Sequence, residues 1–464
     1  MFAKDDQLHN FDIFPKIFAV GKETEISIRS LGCRDAILPE HDYTLTVCAM
    51  NGGNPADFPA TAMYVDVAGR SDADRTLRFS FAFPSEQEYF VDIKDAESGR
   101  RLWRLNVYAV GDGLIGRYPF IGDLHVHSNM SDGGQAPEVV CAVYRGHGYD
   151  FMAITDHHRY HPSIRAIRTY RDIPTELCIV PGEEVHLPQV CGFHNDTHVV
   201  NFGGEYSVNA LVDHWEIWET KDDPSSRSLD GVVRPVMTQD EFSDCLAEYM
   251  KGLDIPEGID PVPAAATTWT FGQIKKAGGL AIFAHPYWQA DVFHVPEALV
   301  DYLMERHDFD AFEVLGGENY YEQNGFQTVR YYEDMAKGHR YPVVGSTDSH
   351  NCYPSNRNAY ICSTIVFSPE NERKAIIQSV RDYYSVAVDT ISKEFRMVGE
   401  SRLIRYGCFL LKYYFPIHDE LCFEEGRLMK VAVTGTDEEK ADAVKMLSAM
   451  NGRMAKLREK YFGF

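Results

Sequence analysis

The 464-residue chain has no apolar stretch approaching twenty residues, so no segment reads as a membrane span. Its opening, Met1-Phe-Ala-Lys-Asp-Asp-Gln7, lacks the basic-then-apolar order of a signal peptide. None of the ten cysteines stands in a Cys-x-x-Cys pair, which argues for free thiols in a reducing, cytoplasmic setting rather than a disulfide framework. No internal repeat and no low-complexity segment is present. Positive charge is scarce as well: 45 Lys and Arg stand against 69 Asp and Glu, a formal net charge of −24. A surface so acidic repels phosphate backbones and excludes extended nucleic acid as a partner. A small anionic substrate stays compatible, because bound metal ions reverse the local potential.

What is present reads as three regions. Hydrophobic residues make up 44% of the chain, an ordinary globular content, and the length exceeds one average domain. In residues 1–118, Leu77, Phe79, Phe81 and Phe83 alternate with Arg78, Ser80 and Ala82. Trp103, Leu105, Val107 and Ala109 repeat the period of two, which marks strands with one buried face. A small β-sandwich-like accessory domain is expected there. Residues 119–395 alternate short apolar runs with helical patterns at 137–145, 268–277, 295–306 and 368–383. Such alternation predicts an α/β fold with a parallel sheet closed into a barrel. The polar stretch 205–265 interrupts this rhythm between the fourth and fifth runs, as a lid at the ligand end or as a surface excursion. Residues 396–464 are helical in pattern, a C-terminal extension packing on the barrel or on a neighbouring subunit, so a homo-oligomer stays open.

The seven apolar runs carry the chemistry. They are Phe120–His127, Phe151–His157, Cys178–Glu184, His198–Phe202, Leu280–Pro286, Phe309–Leu315 and Tyr341–His350. His125 and His127 share one face of a strand, because alternate residues do. Asp132 follows in the flexible Ser131-Asp-Gly-Gly134; Asp156-His157 ends the second run, and Glu183-Glu184 the third. His285 ends the fifth, and Asp348-x-His350 the last. Singly these are weak signals. Jointly, His and carboxylate groups fall at the C-terminal ends of successive strands, and burying them without cations costs several kcal/mol per uncompensated charge, roughly. Two matches stay open: Glu183 competes with Glu184, and His194 with His198, although Gly182-x-Glu184 and the apolar run after His198 favour the second of each pair.

The ordered set Asp123-Leu-His125-Val-His127-Ser-Asn-Met-Ser-Asp132, Ile154-Thr-Asp156-His157, Gly182-Glu-Glu184, Ala284-His285-Pro286 and Ser346-Thr-Asp348-Ser-His350 resembles the polymerase and histidinol phosphatase (PHP) superfamily of metal-dependent hydrolases over residues 119–395. The N-terminal extension and the opening Gly-Asp-Leu-His look like its carbaryl-hydrolase-like branch. The resemblance implies a distorted (β/α)7 barrel with a trinuclear metal site. It places His125, His127 and Asp348 on the first metal, Glu184 as the bridge to the second, and His198 and His285 on the second. Asp132, His157 and His350 would hold the third, with Asp132 where relatives commonly carry a histidine.

Two or three divalent ions a few ångströms apart bring a shared water towards neutral pKa, so that it attacks phosphorus or carbonyl carbon. Zn, Mn and Fe all suit mixed His and carboxylate donors. Asp156, beside His157, is a candidate for orienting a ligand or moving a proton. Arg357 and Arg159 are candidate phosphate clamps, and Tyr287 and Trp288 candidate pocket walls. A structural or solvated role competes for each of them. The leading expectation is a phosphoesterase acting on a small phosphorylated molecule. Its alternatives are a carboxylic or carbamic ester hydrolase on the same centre and a non-catalytic, metal-stabilised binding module.

Overall fold

A computed structural model of the chain describes residues 5–33, 36–51, 64–186, 197–289, 291–316, 321–353, 362–390 and 396–464. The chain divides into two compact units, one of Met1–Tyr118, Ser401–Leu421 and Gly452–Phe464, the other of Pro119–Glu400 and Cys422–Asn451. The tail expected as a single extension is thus shared between them. Among the described residues no helix is long and apolar enough to cross a membrane.

The first unit holds β1 (Phe11–Phe14), β2 (Ile17–Ala19), β3 (Glu23–Ser30), β4 (Asp42–Ala49), β5 (Tyr64–Ser71), β6 (Leu77–Ala82), β7 (Gln87–Asp95) and β8 (Arg101–Val110). Their order is β1-β3-β6-β5-β4-β7-β8-β2. Two ladders, β1-β3-β6 and β5-β4-β7-β8-β2, meet through the pairs Arg70↔Arg78 and Ser71↔Leu77. The edge strands β1 and β2 are joined by Pro15 and Lys16 alone, a span of about 11 Å at full extension. The ladder therefore has to fold back on itself. It encloses Phe18, Ile26, Leu45, Leu77, Val91 and Leu105, all fully buried. Within the same unit Arg402 grips Glu86 through two bonds of 2.6 and 2.7 Å, fastening the helix that opens at Ser401.

The second unit contains β9 (Tyr118–Asp123), β10 (Phe151–Ala153), β11 (Cys178–Val180), β12 (Gly182–Val185), β13 (Val199–Phe202), β14 (Leu280–Phe283), β15 (Ala311–Leu315), β16 (Val343–Gly345), β17 (Cys362–Ser368), β18 (Ser385–Asp389) and β19 (Arg396–Val398). Each of the seven apolar runs contains a strand. The third is broken at Pro181, so that β11 pairs with β10 while β12 pairs with β13. Two sheets result, β11-β10-β9-β17-β18-β19 and β12-β13-β14-β15-β16. Two isolated bridges, His157↔Glu184 and Val126↔Ser349, link them into a nearly closed ring. Both bridges lie within ligand motifs. Helices Pro137–Gly146, His161–Tyr170, Pro261–Lys276, Glu297–Arg306 and Tyr321–Lys337 connect successive strands.

Not every strand keeps the parallel arrangement expected: β18 runs antiparallel to both β17 and β19, and β13 departs as well. β13 runs antiparallel to both neighbours, with Val199 opposite Val185 and Phe283, and Phe202 opposite Gly182 and Leu280. Its first residue therefore lies at the rim where the parallel strands end. His198, which precedes the strand, joins that rim from its N-terminal side, a correction to the rule that each ligand follows its strand. The reversal also moves the start of the 205–265 segment. That segment leaves from the opposite rim, and residues 207–209 then bond to Glu183 and Glu184 of β12.

Candidate metal centre

Backbone geometry at the strand ends sets the site. His285 has φ 20° and Asp348 φ 49°, positive values that side-chain-bearing residues rarely adopt. Such outliers cost of order 1–3 kcal/mol each and concentrate where a side chain has to be aimed. The Asp132 loop is held by a close approach: a Cβ on Gly133 would lie 2.8 Å from backbone atoms of His127 and Ser128. Asp156 fixes the same loop. Its oxygens accept from Ser128 N at 2.7 Å, Ser128 Oγ at 2.5 Å and Ser131 Oγ at 2.5 Å.

All nine sequence-predicted ligands lie in one cluster. His127 Nε2 is 2.8 Å and His125 Nε2 is 3.2 Å from Asp348 Oδ1, and both are 3.4 Å from Glu184 Oε2. His198 Nδ1 is 2.7 Å and His285 Nε2 is 3.6 Å from Glu184 Oε1. Asp132 Oδ2 stands 3.5 Å from His157 Nε2 and 3.2 Å from His350 Nε2. Glu184 is fully buried with imidazoles around both of its oxygens. Glu183 faces away, towards Asn201, Ser207, Val208 and Asn209. Burial and the nearby Glu216 push its carboxyl up to about 7. Of the paired alternatives, then, Glu184 and His198 face the cluster; His194 lies outside the described residues.

Electrostatics follow from this crowding. Burial pushes Glu184 and Asp348 towards the neutral form, but the surrounding imidazoles outweigh it and hold both carboxyls well below the ordinary range. Burial lowers His127 to about 4. Burial opposes the charge on His157 too, yet Glu184 and Asp132 prevail and raise it to about 10. The donor set suits divalent cations. His125 Nε2, His127 Nδ1, His198 Nδ1, His285 Nε2 and both Glu184 oxygens are buried without a hydrogen bond of proper geometry. Contacts as short as 2.7 Å that lack hydrogen-bond geometry describe atoms converging on a common point between them. Orphaned buried groups cost about 1–3 kcal/mol each, more when charged, and a shared cation removes that penalty.

Two members of the cluster were missed in the sequence. Glu313 is fully buried in β15 with Oε2 3.1 Å from His125 Nδ1. His186 Nε2 lies 3.6 Å from Glu184 Oε2. Each carried a faint signal: Glu313 is a charge inside the apolar run Ala-Phe-Glu-Val-Leu, and His186 repeats the two-residue spacing after Glu184. The candidate clamps fare differently. Arg159 is turned to Glu219, which it grips at 2.5 and 2.6 Å. Arg357 lies outside the described residues. Trp288 stands at the rim, its ring 5.9 Å from that of His198, while Tyr287 packs 6.0 Å from Phe326.

No protein-family model matches the chain. Over 85 residues it is 34% identical to the DNA polymerase/3'-5' exonuclease PolX of Bacillus subtilis, a match spanning 17% of this chain and 14% of that one. Among solved structures, a two-domain protein from Bacteroides vulgatus containing a predicted PHP-like metal-dependent phosphoesterase is similar at 17% identity and TM-score 0.37, over 59% of this chain and 65% of that one. A candidate metal-dependent phosphoesterase from Bifidobacterium adolescentis is similar at 18% identity and TM-score 0.32, over 52% and 92%. An amidohydrolase from Chromobacterium violaceum with bound sulfate and no metal is similar at 19% and 0.32, over 57% and 96%. Function has therefore to be read from the side chains themselves.

Proposed function

We propose that the protein is a metal-dependent hydrolase of the PHP type, a phosphoesterase acting on a small anionic, phosphorylated molecule in the cytoplasm. The observation that carries this reading is Glu184, a buried carboxylate whose two oxygens face separate sets of imidazoles. In this reading His125, His127 and Asp348 hold a first ion, His198 and His285 a second, and Asp132, His157 and His350 a third, with Glu184 shared between the first two. Zinc, manganese or iron held there supplies Lewis acidity and lowers the pKa of water towards neutrality.

The chain's own groups do the positioning. Glu313 faces His125 Nδ1, which fixes that ring's tautomer and turns Nε2 to the cluster. Asp156 holds the loop that carries Asp132, so it acts through a ligand rather than on substrate. Four carboxylates line the centre, Asp132, Glu184, Glu313 and Asp348, and they repel an anion until cations offset them. Hydrolysis of carboxylic or carbamic esters is the second reading. The pairing of Arg159 with Glu219 favours it, since it withdraws one candidate phosphate contact.

The test is turnover by purified protein, loaded with Mn or Zn, on panels of phosphomonoesters, phosphodiesters, carboxylic esters and carbamates. Phosphoester hydrolysis abolished by chelation is the expected result. Turnover of the carbon esters alone selects the second reading, and inactivity on both panels at full loading overturns the enzyme assignment.

A further inference from the structure

His186 lies outside the nine ligand positions, yet its ring stands among them. It follows Glu184 by two residues at the end of β12, and the strand period places both side chains on one face. His186 Nε2 is 3.0 Å from His157 Nδ1 and 3.6 Å from Glu184 Oε2, while His157 Nδ1 is 2.6 Å from that same oxygen. Three donor atoms at these separations are spaced as neighbours around one cation bound at about 2.0–2.2 Å. The backbone of His186 is held from both sides. The His186 backbone N–H donates to Asn209 Oδ1 at 3.2 Å, and its carbonyl lies 3.1 Å from His158 Nδ1. Asn209 also donates to Glu183 Oε2 and to the Glu184 carbonyl, so one side chain braces the whole strand end. The His198 ring lies 4.3 Å away and closes the group on its far side.

Resting on the metal centre proposed above, we infer that His186 is a further metal ligand, binding through Nε2 a cation that it shares with Glu184 and His157. His157 turns Nε2 to Asp132 and Nδ1 to Glu184 and His186, so serving cations on both sides would require it as the imidazolate, its ring proton passing to solvent when the site is loaded. The arrangement gives this chain a nitrogen-rich position where the nine-residue motif set supplies none.

The test uses full-length protein loaded with zinc or cobalt. Anomalous diffraction from the zinc-loaded crystal is expected to place an ion about 2.0–2.2 Å from His186 Nε2. His186→Ala and His186→Asn are expected to bind one equivalent fewer by elemental analysis and to lose intensity in the cobalt visible spectrum. The control His339→Ala, at an exposed histidine, should keep the wild-type count, with circular dichroism confirming that each variant is folded. An ion-loaded crystal with His186 Nε2 beyond bonding distance overturns the inference. So do His186 variants with wild-type stoichiometry and spectrum. Wild-type protein that takes up no metal overturns the proposed centre itself, a result distinct from failure of the His186 variants alone.

Discussion

Arg145 and Glu184 are both fully buried in the barrel unit, and their surroundings differ in one respect. Arg145 donates from Nε and Nη2 to Glu425 at 2.9 and 2.8 Å, and from Nη1 to Asp150 and the Tyr149 carbonyl at 3.0 Å each. Its partners are themselves satisfied: Asp150 accepts from Ile121 N, and Glu425 from Thr175 Oγ1 and Glu176 N. Both oxygens of Glu184 lack such bonds, although imidazole nitrogens crowd around them. Burial of charge is thus common to a structural ion network and to the proposed ligand cluster. What separates them is whether the buried atoms already have their hydrogen bonds.

The sharpest test of that distinction exchanges the two costs. Glu184→Gln should abolish metal uptake and hydrolysis, measured by elemental analysis and turnover, while the metal-free thermal midpoint stays level or rises. A large drop in that midpoint would place Glu184 with the structural networks. Arg145→Met should do the reverse, costing about 3–5 kcal/mol in denaturant titration by stranding Asp150 and Glu425, with metal stoichiometry kept in the folded fraction. Chelation of the wild type comes next. Ions at about 100 to 1,000 times their dissociation constant stabilise a fold by about 2.7–4.1 kcal/mol, so the barrel's melting transition should fall on adding a chelator and return with Mn or Zn.

Glu313→Gln should weaken metal binding about 10–100-fold in competition titrations, since Glu313 acts through His125. Wild-type affinity would assign Glu313 to packing. The last test probes a buried charge in the other unit. Burial draws the Lys16 ammonium down from 10.5 to about 7, and its hydrogen bond to Gln7 Oε1, at 3.3 Å, is long. Between these values the unfolded chain keeps a proton that the folded chain releases, so stability rises with pH across that window. The slope is at most about 1.4 kcal/mol per pH unit for one proton. Lys16→Met should remove it, as read from denaturation midpoints at pH 7 to 9.5.

The strands within the seven apolar runs were legible because each is a short run of buried residues between turn signals, a pattern that needs no knowledge of neighbours, whereas β17, β18 and β19 lay outside those runs. The histidines and carboxylates at the ends of the runs were legible for the same reason: His125-x-His127 and Asp348-x-His350 are local spacings. Direction was not legible. An apolar run such as Val199–Phe202 reads alike both ways, and only pairing with β12 and β14 fixes it as antiparallel. Asp156 illustrates a second gap. Its place next to His157 suggested chemistry, whereas its bonds go to Ser128 and Ser131, which sequence distance hides. Arg159 illustrates a third, since Glu219, the partner that engages it, sits sixty positions further along the chain.

The order of residues by itself determined that apolar segments would carry imidazoles and carboxylates to a common rim, because strand period and strand ends are local properties. Tertiary structure decided which atoms meet there: that Glu184 and not Glu183 faces inwards, that His198 arrives from a reversed strand, and that Glu313 and His186 belong to the group. The physical reason is that ligation depends on distances of a few ångströms between side chains tens to hundreds of residues apart, and packing alone sets those distances.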